Sequence, residues 1–441
     1  MTVKAHLQIR KTTKLLLLSL FLALPLHAQI ITTIAGNGIA GDGGDKGLAT
    51  NAQLNQPIAL TIDKTGNVYL ADERANSVRK IDHKGIITTI SGKTIFDKPH
   101  DITVDPSGNI YVTEYNTHII RKMSANGTIT NVAGIQQKPA SFGYLDIGKP
   151  ATATSLNTPN GIAIDRVGNI YFADQWNYMI LKISTTGILS VVAGNGYGGK
   201  KGNNGPATAA ELNAPWGVVT DKKGSIYFTD IASHTVHKID AAGIITTIAG
   251  TGDRGYSGDG GSATNATLNE PHGITIDDSG NVYIADAGNH AIRCIYTDNT
   301  IATIAGTGYR GYSGDGGIAV DAGLNSPYDV AVDKRGNVYI ADALNHVIRK
   351  VTTPPRVKKE LLVKEAFNII ADADKNELVV TIDSGAYDSY SITDIKGKTL
   401  TTHPISERRT RIDISTLQSA HYFIDLKKKE KVKTVMFVKN Q

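Results

Sequence analysis

The chain of 441 residues has a single cysteine, Cys294, so no disulfide can form within it. Long apolar runs are equally scarce: residues 15–26 form a mostly apolar stretch that is shorter than the roughly 20 residues of a membrane-spanning helix. No repeat of the chain keeps the 3.6-residue period of an amphipathic helix. These absences predict a mainly β protein without disulfides, and we assign Cys294 no catalytic role.

A strong charge of one sign is also missing from most of the chain. The formal net charge is +5, but residues 29–357 contain 27 basic and 29 acidic residues, so the basic excess belongs to the two ends. Proteins that bind nucleic acid replace counterions with a basic surface. We therefore expect no nucleic-acid partner.

The N-terminus has the features of an export signal. Four basic residues between positions 4 and 14 precede the apolar stretch, and a small residue, Ala28, follows it. This order predicts a signal peptide at residues 1–28, with cleavage after Ala28 and no transmembrane segment in the mature chain.

One short motif recurs along most of the sequence. The segment GNVYIAD at residues 280–286 has five further copies, each at a fixed distance behind a proline. The prolines are 42, 60, 56, 56 and 56 residues apart: Pro57, Pro99, Pro159, Pro215, Pro271 and Pro327. Such a period predicts stacked supersecondary units, because one unit cannot bury its own apolar surface.

Each repeat contains four short segments rich in Val, Ile, Thr and Tyr and bounded by Gly, Asn or Asp, which predicts a four-stranded antiparallel blade. The outermost segment, of the form ITTIAG, is missing after the sixth proline, but an unmatched copy lies at residues 31–36. We predict that this copy completes the sixth blade and closes the ring. The expected fold is all-β: a six-bladed β-propeller over residues 29–351, a proline-containing linker at 352–359 and a small β-sandwich at 360–441.

Two positions of the repeat keep one kind of side chain in every copy. The tyrosine of the motif predicts packing between blades. The last residue of the motif is acidic, and a basic or imidazole residue follows about seven positions later. These residues are expected to form structural ion pairs or turn hydrogen bonds: Asp72 with Arg79, Glu114 with Arg121, Asp174 with Lys182, Asp230 with His237, Asp286 with Arg293, and Asp342 with Arg349.

Glycine-rich loops connect the blades. The sequence GDGG at residues 41–44, 258–261 and 314–317 predicts one shared frame, with GNNG at 202–205 as a weaker copy. Glycine permits positive φ and the aspartate can bond back to the loop, so we interpret these loops as structural. A cation or phosphate site is the alternative, although no lysine or serine follows as in a phosphate-binding loop.

Positions that differ between repeats are better candidates for function. The two residues after each proline are expected to begin the innermost strand at one mouth of the central channel. Those with functional side chains are His100, Asp101, Asn160, Trp216, His272, Tyr328 and Asp329. A concave rim of this composition would bind a small polar ligand or a partner loop, and an ordinary solvated rim is the alternative. The His and Asp residues among them are also ligand types for zinc or calcium, which leaves a metal open.

The strand patterns P-x-G-I-x-x-D, G-N-x-Y-x-A-D and N-H-x-I-R-K resemble NHL repeats, which implies a six-bladed, TolB-like propeller. The Asn-His pair of that family is kept at residues 289–290 and 345–346, and in part at His118 and His234. A peptide-amidating lyase among NHL relatives holds zinc with three histidines, whereas two occupy the post-proline position here. Gluconolactonase-like propellers need a Glu, Asn and Asp calcium site that this sequence does not assemble. The resemblance implies the fold without carrying over an activity or a cofactor.

The C-terminal segments 390–398, 412–417, 422–424 and 437–440 resemble the type A sorting domain of the type IX secretion system of Bacteroidota. The usual Tyr-Pro-Asn-Pro opening is absent, and Ala420 stands where a glycine is expected. The resemblance implies the secretion machinery as a partner and an extracellular or outer-surface location.

Two functional hypotheses follow. We favour a secreted propeller that acts as a non-enzymatic scaffold, binds a protein or glycan at the channel rim and requires no cofactor. The alternative is a metal-dependent hydrolase or lyase with its site at the channel. An enzyme needs convergent titrating groups around a nucleophile or activated water, and the sequence offers scattered candidates.

Overall fold

The computed structural model describes residues 29–91, 95–136 and 145–352, and, nearer the C-terminus, 367–372, 377–382, 388–394, 398–405, 409–418, 420–428 and 431–439. The predicted signal peptide, residues 353–359 of the predicted linker, and residues 395–397 and 440 of the sorting motif lie outside them. The chain divides into two compact units, before and after residue 355.

Six four-stranded antiparallel sheets form the blades of the first unit. The chain begins with β1 (Ile30–Ala35). Blade 1 contains β2 (Pro57–Ile62), β3 (Val68–Asp72), β4 (Ser77–Ile81) and β5 (Ile87–Ser91); blade 2 contains β6 (Pro99–Val104), β7 (Ile110–Glu114), β8 (Ile119–Met123) and β9 (Ile129–Ala133). Blade 3 contains β10 (Pro159–Ile164), β11 (Ile170–Asp174), β12 (Met179–Ile183) and β13 (Leu189–Ala193); blade 4 contains β14 (Pro215–Thr220), β15 (Ile226–Asp230), β16 (Thr235–Ile239) and β17 (Ile245–Ala249). Blade 5 contains β18 (Pro271–Ile276), β19 (Val282–Asp286), β20 (Ala291–Ile295) and β21 (Ile301–Ala305); blade 6 contains β22 (Pro327–Val332), β23 (Val338–Asp342) and β24 (Val347–Thr352).

The ring closes as the sequence predicts. β1 pairs antiparallel with β24, so that Ile30 lies opposite Thr352 and Ile31 opposite Val351. The first strands of neighbouring blades contact one another around the central channel. This closure covers the edge that β24 would otherwise expose.

The helices of the described residues are single 3₁₀ turns, and none is long and apolar enough to cross a membrane. Those in the loops between blades are Ala49–Asn51, Ala151–Ala153, Ala207–Ala209, Ala263–Asn265 and Ala319–Asp321. Those between the second and third strands are Glu73–Ala75, Gln175–Asn177, Ala287–Asn289 and Ala343–Asn345.

Apolar contacts between adjacent blades hold the ring together. One core cluster joins Tyr227 and Val236 of blade 4 to Ile274 and Ile284 of blade 5, with Leu268 from the connecting loop among them. Leu268 is fully buried, as are its counterparts Leu54, Leu156, Leu212 and Leu324. Burying one leucine side chain contributes about 1.5–3 kcal/mol, so these leucines stabilise each junction between blades.

The recurring tyrosines combine this packing with polar contacts. Each hydroxyl donates to the aspartate that opens the preceding turn, at 3.2–3.5 Å, as from Tyr69 to Asp63. A lysine ammonium lies 5.0–5.6 Å from the ring centroid in five blades. In blade 5 the lysine position is taken by Cys294, which is buried, and burial raises the pKa of its thiol to about 12. A thiol in that state is a poor nucleophile.

The predicted acid–base pairs form in part. Direct ion pairs join Glu114 to Arg121 at 2.8 Å, Asp286 to Arg293 at 3.3 Å and Asp342 to Arg349 at 3.6 Å. Arg79 instead pairs with Asp45 at 3.3 Å.

The pairing of Asp174 with Lys182 is wrong. Leu181, not Lys182, stands at the equivalent position of blade 3, and the lysine lies over the ring of Tyr171. The pairing of Asp230 with His237 is wrong as well, because His237 stacks on Phe228 and shares hydrogen bonds with two threonines.

The frame assigned to the first glycine-rich loop is also wrong. Asp259 and Asp315 form ion pairs with the arginines of their blades at 2.7 and 2.9 Å. In blade 1 this role belongs to Asp45, not to Asp42, so residues 44–47 correspond to the GDGG of the later loops. The GDGG string at 41–44 is shifted by three residues from its structural counterpart, and Lys46, with φ of 64°, takes the place of Gly260.

The histidines of the Asn-His pairs join neighbouring blades. Each Nδ1 accepts a hydrogen bond of 3.0–3.1 Å from the backbone N–H of the residue before the next proline: His118 from Thr158, His234 from Glu270, His290 from Ser326 and His346 from Gln56. In blade 1 the Oδ1 of Asn76 accepts the equivalent bond from Lys98 at 3.0 Å. The family motif is therefore structural in this chain.

The C-terminal unit contains β25 (Phe367–Asp372), β26 (Glu377–Ile382), β27 (Ser389–Asp394), β28 (Thr399–Pro404), β29 (Arg409–Asp413), β30 (Ala420–Lys428) and β31 (Lys431–Lys439). They form a sheet of order β25-β26-β29 and another of order β28-β27-β30-β31. Ile412 of the first sheet shares a hydrophobic core with Ile392 and Ile424 of the second. The predicted small all-β unit is confirmed.

Candidate functional site

Each innermost strand begins in a strained backbone turn at the channel mouth. The non-glycine residue before every blade proline has a φ between 48° and 70°: Gln56, Lys98, Thr158, Ala214, Glu270 and Ser326. A left-handed backbone is costly for such residues and persists where surrounding bonds hold it. The inter-blade bonds from the Asn-His histidines supply this support at Gln56, Thr158, Glu270 and Ser326, and the bond from Asn76 supplies it at Lys98.

Four of the predicted site residues form one aromatic cluster, consisting of His100, Trp216, His272 and Tyr328. Ring centroids are 4.7 Å apart between His100 and Trp216, 4.6 Å between Trp216 and His272, and 4.6 Å between His272 and Tyr328, all in edge-to-face geometry. The two imidazoles are buried, whereas Trp216 and Tyr328 are half-buried. Edge-to-face pairs stabilise one another by about 0.5–1.5 kcal/mol beyond the area they bury, so the cluster is a pre-formed surface.

Tyr115 was not among the predicted site residues, but its ring stacks on His100 with the centroids 5.5 Å apart. The Lys98 Nζ lies over the same ring, 5.6 Å from its centroid. Tyr115 directly follows Glu114, the acidic position of blade 2. Extending the comparison of the repeats by one residue would have identified it as an additional aromatic candidate.

Both imidazoles of the aromatic cluster are neutral at physiological pH. Burial lowers the pKa of His100 to about 3 and that of His272 to about 4. His272 Nδ1 lies 2.7 Å from the carbonyl oxygen of Glu270, so it donates there and leaves Nε2 as an acceptor. His100 Nδ1 is buried with no hydrogen-bond partner among the described residues. The aromatic cluster therefore offers uncharged faces with a few polar atoms.

Asp101 and Asp329 tie blades together across the channel wall. Asp101 Oδ2 accepts the N–H of Ile162 in blade 3 at 2.6 Å, and Asp329 Oδ2 accepts the N–H of Leu60 in blade 1 at 2.8 Å. Burial raises the pKa of Asp101 to about 7. Burial and the neighbouring Asp101 raise that of Asp329. In blade 5 the equivalent residue is Gly273, where a Cβ would collide with the Asp329 carboxylate.

The side chain of Asn160 also has a structural role. It is fully buried, and Nδ2 donates to Gln175 Oε1 of the same blade at 2.8 Å. The structure thus brings four of the predicted residues together as rings, and it places Asp101, Asp329 and Asn160 in the walls beneath.

A metal centre does not assemble from these side chains. Within the described ranges, no three His, Cys, Asp or Glu side chains lie close enough to hold a metal ion. Trp216 packs against both imidazoles, and one oxygen of each aspartate already accepts a backbone N–H of another blade.

The opposite mouth of the channel holds a cavity of about 1130 Å³ that the sequence did not single out. It is lined by the turns between the first and second strands, including Lys64, Arg166, Lys334 and Arg335. The aspartate of each turn is held locally: burial favours protonation of Asp63, but hydrogen bonds from Asn67 and Thr65 outweigh it and lower its pKa to about 2. An alignment of these turns would have shown the cations that follow the aspartates.

Family models match both units. The teneurin NHL domain model matches residues 38–98, 198–255 and 250–313, and the NHL repeat model matches residues 96–123. The model of the secretion system C-terminal sorting domain matches residues 374–440.

The curated relatives include teneurins, which are much longer than this chain. Teneurin-1 of Gallus gallus is 29% identical over 407 residues, which cover 80% of this chain and 14% of that protein. Teneurin-1 of Homo sapiens is 28% identical over 266 residues, which cover 53% of this chain and 9% of that protein.

Solved structures share the propeller fold. A structural genomics protein of unknown function from Bacteroides thetaiotaomicron has a TM-score of 0.59 and 21% identity, with 74% of this chain and 76% of that chain covered. An auxiliary nutrient binding protein from Bacteroides ovatus has a TM-score of 0.56 and 17% identity, with the same two shares covered. Likeness at these identities establishes the fold alone.

Proposed function

Because the chain is an NHL-repeat six-bladed propeller followed by a secretion system C-terminal sorting domain, we propose that type IX secretion machinery exports it. Outside the cell it acts as a non-enzymatic scaffold that binds a glycan or a protein at the aromatic cluster.

The aromatic cluster is the observation that carries this proposal. Its rings are uncharged, pre-packed and partly accessible through Trp216 and Tyr328. Aromatic faces of this kind combine apolar contact area with polar edges, which suits the stacking of a sugar ring or a partner's side chain. The auxiliary nutrient binding proteins among the solved structures share the fold, and a nutrient-binding role would fit an exported chain of this kind.

The binding site is tested with the two tryptophans of the chain, Trp216 in the aromatic cluster and Trp176 on the loop after β11. In a Trp176→Phe background the fluorescence reports Trp216, and soluble polysaccharides and outer-surface proteins are screened for quenching. Trp216→Ala should weaken binding of the selected ligand at least tenfold, since stacked aromatic residues are typical hot spots. Trp176→Phe should leave binding unchanged; binding that survives both Trp216→Ala and Tyr328→Ala would place the site elsewhere.

Export is tested separately by deleting residues 358–441. The truncated propeller should accumulate in the periplasm, and normal delivery to the outside would contradict the role of the sorting domain.

A metal-dependent hydrolase or lyase is the second candidate, for which His100, whose Nδ1 has no partner among the described residues, and His272 would be two of the metal ligands. No third ligand lies close enough to them within the described ranges. Elemental analysis of the purified propeller, alongside the His100→Ala/His272→Ala variant, decides it. Stoichiometric zinc or calcium that is lost in the variant would establish a metal site. An equal trace of metal in both proteins would favour the non-enzymatic scaffold over the metal enzyme.

A further inference from the structure

A side chain fills the space beneath the connecting loop in five blades, and it is fully buried in all of them except blade 2. In blade 5, Arg293 is fully buried and reaches the carboxylates of Asp286 and Asp259 and the carbonyl oxygen of Ser257, at 3.3, 2.7 and 3.0 Å. Tyr256 covers the guanidinium at 5.1 Å from its ring centroid.

The other four blades fill this space in related ways. Arg349 of blade 6 repeats the contacts of Arg293 with Asp342, Asp315 and the Ser313 carbonyl. Arg79 and Arg121 occupy the position in blades 1 and 2, and buried Leu181 does so in blade 3, where it packs with Leu145.

Blade 4 leaves the same space open. His237 replaces the arginine, and Ser233 replaces Asn289, whose side chain bonds to Asp286 and to the Gly255 carbonyl in blade 5. Both replacements are shorter, and the His237 ring is held against Phe228 at 5.1 Å and by Thr235 at 2.9 Å. A cavity of about 370 Å³ results, and both residues line it.

Of the two carboxylates that hold the arginine in blade 5, blade 4 keeps one and has an amide in place of the other. Asp230, Lys201 and Asn203 correspond to Asp286, Ser257 and Asp259, each 56 residues earlier, and all three line the cavity. Asp230 is buried and accepts the N–H of Asn213 at 2.6 Å. Ser233 is 3% exposed, and its hydroxyl lies beside the Asp230 carboxylate and favours its ionised form. The cavity therefore presents a carboxylate, a buried hydroxyl and loop carbonyls without the guanidinium that the corresponding groups surround in blade 5.

The lysines of this wall are engaged by other acceptors. Lys200 Nζ donates to the Gly252 carbonyl at 3.0 Å, and Lys201 Nζ pairs with Glu211 at 3.3 Å. Burial raises the pKa of Asp230 to about 6, and hydrogen bonds from Asn213 and Ser233 and the charge of Lys200 only partly oppose this shift. No ion pair to Asp230 occurs within the described residues. His237 is neutral, because burial lowers its pKa to about 4.

We propose that the blade 4 cavity binds the guanidinium group of a ligand, in the place where blades 5 and 6 hold their own arginine. A planar cation with several donors matches a carboxylate, a hydroxyl and carbonyl oxygens at fixed positions. This site is distinct from the aromatic cluster, so it does not depend on the function proposed for that surface.

The first experiment titrates methylguanidinium and, as a cation without the planar fork, methylammonium into the full chain by calorimetry. Methylguanidinium should bind with a stoichiometry of one, and methylammonium at least tenfold more weakly. His237→Arg places in blade 4 the arginine that blades 5 and 6 have at this position, and it should abolish binding. Equal heats for the wild type and His237→Arg, or no binding to the wild type, would overturn the proposal.

Two further variants protect the test against misfolding. Ser233→Asn restores the blade 5 residue beside the cavity and should weaken binding even if His237→Arg does not fold. Conversely, Arg293→His with Asn289→Ser should open a second cavity in blade 5 and raise the stoichiometry to two in a folded variant. An unchanged stoichiometry in this folded variant would contradict the equivalence of the spaces in blades 4 and 5.

The source of the guanidinium is separated by comparing free arginine with a terminally blocked Gly-Arg-Gly peptide. Tighter binding of the amino acid points to a small guanidino compound, and tighter binding of the peptide points to an arginine of a partner protein. If neither binds where methylguanidinium does, the cavity is no arginine site and the proposal fails for both sources.

Discussion

Blades 4 and 5 have the same strands in equivalent registers, but they stabilise the space beneath their connecting loops differently. Blade 5 fills it with a buried guanidinium between two carboxylates, and blade 4 leaves it open beside a neutral imidazole. Both blades keep the buried loop leucine, the blade proline and the tyrosine–aspartate contact. Apolar contacts and turn geometry therefore determine the blade, and the polar group beneath the loop can be exchanged.

The largest difference in stability between variants of the two blades is expected at Arg293. Arg293→Ala should destabilise the propeller by about 3–5 kcal/mol, because it leaves the buried Asp286 without its cation. His237→Ala in blade 4 should destabilise the propeller less, because His237 is neutral and its removal leaves no buried charge without a counterion. Chemical denaturation of both variants measures the difference. Adding Asp286→Asn to Arg293→Ala should recover part of the loss; a double variant as unstable as Arg293→Ala alone would argue against the buried charge as the cause.

The inter-blade histidine bonds should give the next largest effect. His290→Ala removes the acceptor for the Ser326 N–H and should cost about 1–2 kcal/mol, the usual penalty for a buried donor left unpaired. His290→Asn should be close to neutral, because Asn76 makes this bond in blade 1 and asparagine tolerates the left-handed backbone. Thermal denaturation of the two variants against the wild type provides the test, and equal losses would assign the effect to backbone strain.

The same bonds predict a pH dependence. Burial lowers the pKa of His290, so the unfolded chain binds a proton in a range where the folded chain does not. The stabilising contribution of neutral His290 is present above the unfolded pKa of about 6.5 and is lost as the pH falls below it. The stability of the wild type relative to His290→Asn should therefore decrease from pH 7 to pH 5. A difference that is flat over this range would contradict the prediction.

The smallest effect is expected at the lysine–tyrosine stacks. Lys350→Met keeps the apolar stem over Tyr339 but removes the charge, and should cost about 0.5–1 kcal/mol at most. Blade 5 already lacks the cation, because Cys294 occupies that position. Thermal stability at low and high salt measures the difference, and a loss above 2 kcal/mol would give the lysine a larger role than its blade 5 counterpart allows.

The ring was predictable because six copies of one pattern fix the strands, and the missing outer strand left residues 31–36 as its complement. The sorting domain was predictable from four short segments. Repetition misled where a string matched but its position did not: the GDGG of residues 41–44 is displaced from the loop aspartate that binds Arg79.

The candidate site was only partly predictable. The proline spacing placed His100, Trp216, His272 and Tyr328 at one level of the ring, and their rings meet. The sequence could not show that Asp101 and Asp329 turn into the wall, because that depends on how closely neighbouring strands approach at glycines such as Gly273. At the blade 4 cavity the sequence differs from blade 5 at Ser233 and His237, which are shorter than Asn289 and Arg293. A shorter side chain creates a cavity only if the neighbouring residues do not move into the space, and the sequence does not show this.

The pairing of β1 with β24 has a mechanical consequence. The sorting domain follows β24 in the chain, so a pull from an anchored C-terminus loads this strand first. Because β24 lies between β23 and β1, two ladders of hydrogen bonds resist that load together. A propeller held by its tail in flowing medium would thus transmit tension into the middle of a sheet instead of peeling a blade from its edge.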